Sequence, residues 1–79
     1  MLSAVEIAEK RLQIVQLRNL AGWQRGEYAQ SHIRQARHPI YPGQTDVCMA
    51  KAAQAERLAR ENDAKADLME AKLANANKA

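Results

Sequence analysis

The sequence predicts an all-α fold: two long helices in an antiparallel helical hairpin, which dimerises into a helical bundle. Three observations carry this expectation. Alanine, glutamine, glutamate, lysine and arginine dominate the 79 residues and phenylalanine is absent, a composition of helix formers. Apolar residues recur at steps of three and four along two long stretches. One stretch, "RHPIYPGQTD", gathers both prolines and a glycine near the middle of the chain. Residues 1–79 then read as a single hairpin domain, with helix one at about 4–37, a turn at 38–45 and helix two at about 46–76.

The start is well marked. Ser3 and Glu6 have the spacing of a capping box, and Leu2 and Ile7 flank them as a hydrophobic staple, so the first helix should begin at Ala4. Further on, "AGWQRGEYAQ" places Gly22 and Gly26 inside a helical pattern, where each costs roughly 1 kcal/mol relative to alanine. Either the helix runs on, bent, with a seam made small for another helix to approach, or it stops with Gly22 at the C′ position. Continuity, with or without a bend at Gly22–Gly26, is the expectation, and a break there is the alternative. The helix should end near Arg37, because Pro39 removes a donor and disfavours helix at His38. Thr45 or Asp46 is the expected N-cap of the second helix, which should run to about Asn75 or Asn77.

The first helix carries two apolar stripes. A heptad frame with Val5 at position a gives the seam Val5, Ala8, Leu12, Val15, Asn19, Gly22, Gly26, Ala29, Ile33 and Ala36. Ile7, Ile14, Ala21 and Tyr28 form another line on nearly the opposite side, widened by Leu17 and Leu20. A helix apolar on two sides is buried on two sides. One partner can be the second helix; the other is expected to be a second copy, with Ile7, Ile14, Gly22, Gly26, Ala29 and Ile33 as the oligomer contact. The second helix has one thin seam of Cys48, Ala52, Ala55, Ala59, Asn62, Ala66, Met69, Leu73 and Ala76, flanked by Leu58 and Leu68. Asn62 in that seam either fixes register or meets water where the helices diverge. Glu56–Arg60 and Glu61–Lys65 have the i,i+4 order of surface ion pairs.

Self-association suits the size. A chain this short buries only about 60% of its unfolded surface. Cys48 is the one cysteine, so no intrachain disulfide can make up the deficit. A lone thiol fits a cytoplasmic location. Glu6 interrupts any signal-like run, and no apolar stretch reaches the ~20 residues of a membrane span, so no membrane partner is expected.

The net charge of +3 sits in the first half, where six Lys and Arg face three Glu across residues 1–38. Arg11, Arg18, Arg25 and His32 follow one another at intervals of seven and so share one side of the helix. Such a row could track phosphates, face an acidic protein, or simply flank a helix interface in solvent. Trp23 and Tyr28 lie near it, and Tyr41 stands beside Ile40 in the loop. Trp23 reads as an oligomer anchor or a partner contact, and the loop tip as packing across the hairpin end or a partner contact. Chemistry has little to stand on. Cys48 and His38 could pair as nucleophile and base, but no phosphate cradle or triad order accompanies them. His32, His38 and Cys48 lack paired metal-ligand spacing. No enzyme, metal or cofactor is therefore expected.

In architecture the chain is similar to small helical-hairpin proteins that dimerise into four-helix bundles, among them a plasmid regulator that binds RNA. No motif is shared, and architecture does not imply function. The expected function is a small, self-associated regulator or adaptor. It would bind another protein with an acidic surface, in the manner of phage- or plasmid-type inhibitors of host factors. Nucleic-acid binding along the arginine row is the alternative, and a structural assembly role the third.

Overall fold

The computed structural model describes residues 2–76. Helix α1 (Ala4–Trp23) runs through a π turn (Gln24–Tyr28) into α2 (Ala29–Arg37), and α3 (Gln44–Ala76) returns antiparallel along both. The result is the helical hairpin expected from the sequence, a rod of about 59 × 15 × 11 Å between Cα extremes. Among the described residues there is no strand.

Ser3 caps α1: its hydroxyl accepts from the Glu6 N–H at 3.2 Å. Leu2 and Ile7 both pack on the core formed by Ile14, Ala66 and Leu73, so the staple anchors the N-terminus against the far end of α3. At the other end, Tyr41-Pro42-Gly43-Gln44 closes a tight turn, with the Gln44 N–H donating to Tyr41 O at 3.2 Å. Proline at the second place and Gly43 at φ +85° at the third follow the type II pattern, which needs a positive φ there. Helix α3 thus begins at Gln44, ahead of the Thr45 or Asp46 cap expected from sequence. Thr45 instead secures the end of the preceding helix. Its hydroxyl donates to Ala36 O at 2.9 Å, satisfying a carbonyl that α2 leaves open. The buried Gln44 side chain accepts from the Ile40 N–H. Ile40 itself is 88% exposed and Tyr41 is also open, so the loop tip is not packed across the hairpin end.

The seam of α3 is the predicted one. Cys48, Ala52, Ala55, Ala59, Ala66 and Leu73 are buried, and Asn62, Met69 and Ala76 are half-buried between them. Asn62 does not meet water alone; its amide donates to Gln24 Oε1 across the hairpin at 2.9 Å. On the facing side the buried residues are Ile14, Ala21, Ala29 and Ala36, with Ile7 and Ile33 half-buried in line. From Ile7 to Ile14, Ala21, Ala29 and Ala36 the intervals are seven, seven, eight and seven.

That single step of eight explains the π turn. The isoleucine stripe of α1 and the Ala29–Ile33–Ala36 stripe of α2 both have to meet the same straight helix, yet one residue too many separates them. A π turn absorbs an extra residue without breaking the helix, and here the Ala29 N–H donates to Gln24 O, five residues back. The helix is therefore continuous through Gly22–Gly26. Its glycines answer to no close approach among the described residues, because a Cβ at either would meet nothing there within 4 Å.

This arrangement changes the assignment of faces. Ile7, Ile14, Ala29 and Ile33, given to an oligomer contact from the sequence, pack into the hairpin's own core. The intrachain pairing takes the stripe with the larger side chains, which bury more area against an alanine-rich partner. Val5, Ala8, Leu12, Val15, Asn19 and Gly22 are left outside, all exposed.

Candidate interaction surfaces

The two flanks of the hairpin differ in chemistry. On one, Arg18 reaches Asp67 at 3.1 Å and Glu70 at 2.5 Å. Arg25, within the π turn, reaches Glu56 at 3.3 Å and Asp63 at 3.2 Å. Each guanidinium spans two carboxylates, so the four pairs form a clasp along this side. The Glu70 bond, then the Asp67 bond, raises the pKa of Arg18 above the usual arginine value; Asp63, then Glu56, does the same for Arg25.

This clasp was only half legible. The arginine row was visible, but its complement was not. Glu56, Asp63 and Glu70 recur at intervals of seven beside the seam of α3, the matching acidic row. Glu56 serves Arg25 here, while its expected surface partner was Arg60. Arg11, further along the row, lines an open cleft of about 490 Å³ with Ile14, Val15, Arg18 and Leu73.

The opposite flank is apolar and aromatic. Leu20, Trp23, Tyr28 and Leu58 are exposed along it, with half-buried Leu17 and Met69 between the helices. The π turn brings Trp23 and Tyr28 together at i,i+5, with ring centroids 5.4 Å apart and planes tilted by 49°. Tyr28 in turn meets the edge of His32 at 4.5 Å and 64°. His32 is thus drawn into the aromatic ladder, and its Nδ1 is buried without a hydrogen-bond partner. Two clefts open between the helices here. One, of about 320 Å³, lies among Gln13, Gln16, Leu17, Leu20 and Met69; the other, of about 260 Å³, among Trp23, Tyr28, Lys51, Gln54 and Leu58.

The remaining polar candidates are scattered. Cys48 is buried, its thiol directed at Gln35 Oε1 at 3.8 Å. His38 terminates α2 with its N–H on Gln35 O. Among the described residues no group of three or more His, Cys, Asp or Glu is placed to hold a metal ion. None of their helices is long and apolar enough to cross a membrane. Of the sequence-assigned contact residues, Trp23, Tyr28 and His32 come together, Arg18 and Arg25 join the clasp, and Tyr41 stands apart at the loop tip.

Comparison with known proteins adds no relative: no family model, no curated protein and no solved structure matches the chain.

Proposed function

We propose that this hairpin is a small, non-catalytic protein-binding adaptor that docks an amphipathic helix of a partner along its aromatic flank. The supporting observation is the sorting of chemistry between flanks. Arg18 and Arg25 satisfy carboxylates of their own chain on one side, while Leu20, Trp23, Tyr28 and Leu58 stay open on the other. A groove between two helices, with apolar walls and a few polar groups, suits helix-in-groove recognition. Tryptophan and tyrosine are the residue types that most often dominate such contacts. Lys51 at the edge of the Trp23 cleft favours an acidic residue beside the partner's apolar stripe. The same internal pairing weighs against the arginine row as a phosphate track.

Site-specific photo-crosslinking in the native host tests the reading. A crosslinker at Leu58 should capture one protein of defined mass, and the same group at exposed Arg60, about 160° round α3 from Leu58, should not. Tyr28→Ser should reduce the Leu58 adduct several-fold. Equal capture at both positions, or capture of nucleic acid, would overturn the proposal.

A further inference from the structure

The outer face of α1 has no occupant among the described residues, and only Val15, at its edge, borders the cleft lined by Leu73 of α3. Along it run Val5, Ala8, Leu12, Val15, Asn19 and Gly22 at alternating steps of three and four, with no charged residue among them. Val5 is 67% exposed, Leu12 57% and Val15 51%. We infer that this face joins a second copy of the chain in a parallel, two-fold coiled coil of α1 against α1.

Three observations specify that occupant. The first is area. A folded monomer of 8.8 kDa exposes about 4,800 Å² by the usual scaling, whereas this chain exposes 5733 Å². The excess, roughly 900 Å², comes in part from the rod shape and is of the same order as the ~800 Å² that each partner contributes to a standard interface. The second is the residue pattern. Val5, Leu12 and Asn19 occupy successive a positions, and a single asparagine at a is the device that fixes two-stranded, in-register pairing. Asn19 of each copy would meet its equivalent across the axis and satisfy an amide that a hydrophobic partner would leave unpaired. The third is charge. In this frame Arg11, Arg18 and Arg25 fall at g, while Glu9, Gln16 and Trp23 fall at e. An antiparallel pair sets the arginine rows against each other, with Arg11 outside the clasp that holds Arg18 and Arg25; a parallel pair sets each row against the e positions. Ala8 and Gly22 at d leave room for the backbones to approach. The open space around Gly22 within one chain is consistent with that use.

The contact borders the flank assigned to a partner protein only at Trp23, and the purified chain alone tests it. Sedimentation equilibrium should give twice the 8.8 kDa chain mass. Leu12→Glu should halve that mass while leaving the helical circular dichroism unchanged, because Leu12 makes no part of the hairpin core. In a Cys48→Ala background, Leu12→Cys should oxidise to a covalent dimer under mild conditions, since position 12 meets itself across a parallel axis. Arg57→Cys, on the far side of α3, should not. A monomeric wild type, a dimer that survives Leu12→Glu, or a Leu12→Cys chain that crosslinks no faster than Arg57→Cys would each overturn the inference. Leu58→Glu, which disables the partner flank, should leave the dimer mass intact; loss of the dimer in that variant would move the self-contact to the flank and overturn it as well.

Discussion

Deleting Gly26 should leave the hairpin at least as stable as it is, although a deletion inside a helix normally displaces everything beyond it. The reason lies in the intervals of the seam. Ala21 and Ala29 are both buried against α3 but lie eight residues apart, and the π turn exists to take up the surplus one. Without Gly26 the interval returns to seven, the turn can close as ordinary α-helix, and Ala29, Ile33 and Ala36 keep their places. Tyr28 then sits at i+4 from Trp23, a spacing that still allows their rings to meet. Removing a helical glycine is worth up to about 1 kcal/mol. For a chain of this length the unfolding entropy near the midpoint is about 165 cal/mol/K, so the gain corresponds to roughly 6 °C in Tm. The control is deletion of exposed Gln16 in regular α-helix, which rotates Ile7 and Ile14 about 100° out of the seam. Each isoleucine loses burial worth about 1.5–3 kcal/mol, and Tm should fall by more than about 10 °C. Thermal melts of both variants by circular dichroism decide between the two outcomes. A Gly26 deletion as damaging as the Gln16 deletion would refute the explanation of the π turn.

Two further outcomes follow from the seam and the clasp. Ala59, fully buried where the helices approach, has no space for branches, so Ala59→Leu should destabilise the chain by about 1–3 kcal/mol in urea titration. Arg25→Ala and Asp63→Ala should show a coupling in a double-mutant cycle at low salt that disappears near about 1 M, where the screening length is only ~3 Å. The raised arginine pKa values keep both charges constant at every pH below the ordinary arginine range, and the charge is lost only above it. The arginine side of the clasp is therefore indifferent to pH around neutrality.

What the sequence revealed, and what it concealed, divides along physical lines. Local chemistry was readable: the Ser3 cap, the proline-bounded turn and the seam of α3 all depend on near neighbours or on an unbroken period. The division of labour between the two stripes of α1 was not, because Ile7–Ile14–Ala21 and Val5–Leu12–Val15 are both respectable seams. Only the pairing with α3 decides which is turned inward. The π turn was hidden for a related reason. The Val5 frame passes through Ala29, Ile33 and Ala36 without a skip, so the surplus residue becomes visible only once Ile14 and Ala29 are known to touch the same helix. The clasp required reading two rows at once, Arg18–Arg25 and Glu56–Asp63–Glu70, on elements far apart in the chain. At the candidate surfaces, Trp23 and Tyr28 were identifiable by residue type, but the tilted geometry in which they meet at i,i+5 comes from the wide turn between them.

The alanine seam of α3 also shapes how this molecule responds to heat. Among the described residues no large side chain is completely buried; those at zero exposure are Ala59 and Ala66. Apolar surface exposed on unfolding is what raises the heat capacity, and a methyl group exposes little of it. The heat-capacity change per residue should therefore fall below the usual value of about 12–15 cal/mol/K, and the free-energy curve should be broad and shallow. A hairpin built this way trades height of stability for breadth, losing little in the cold and melting over a wide interval when warmed.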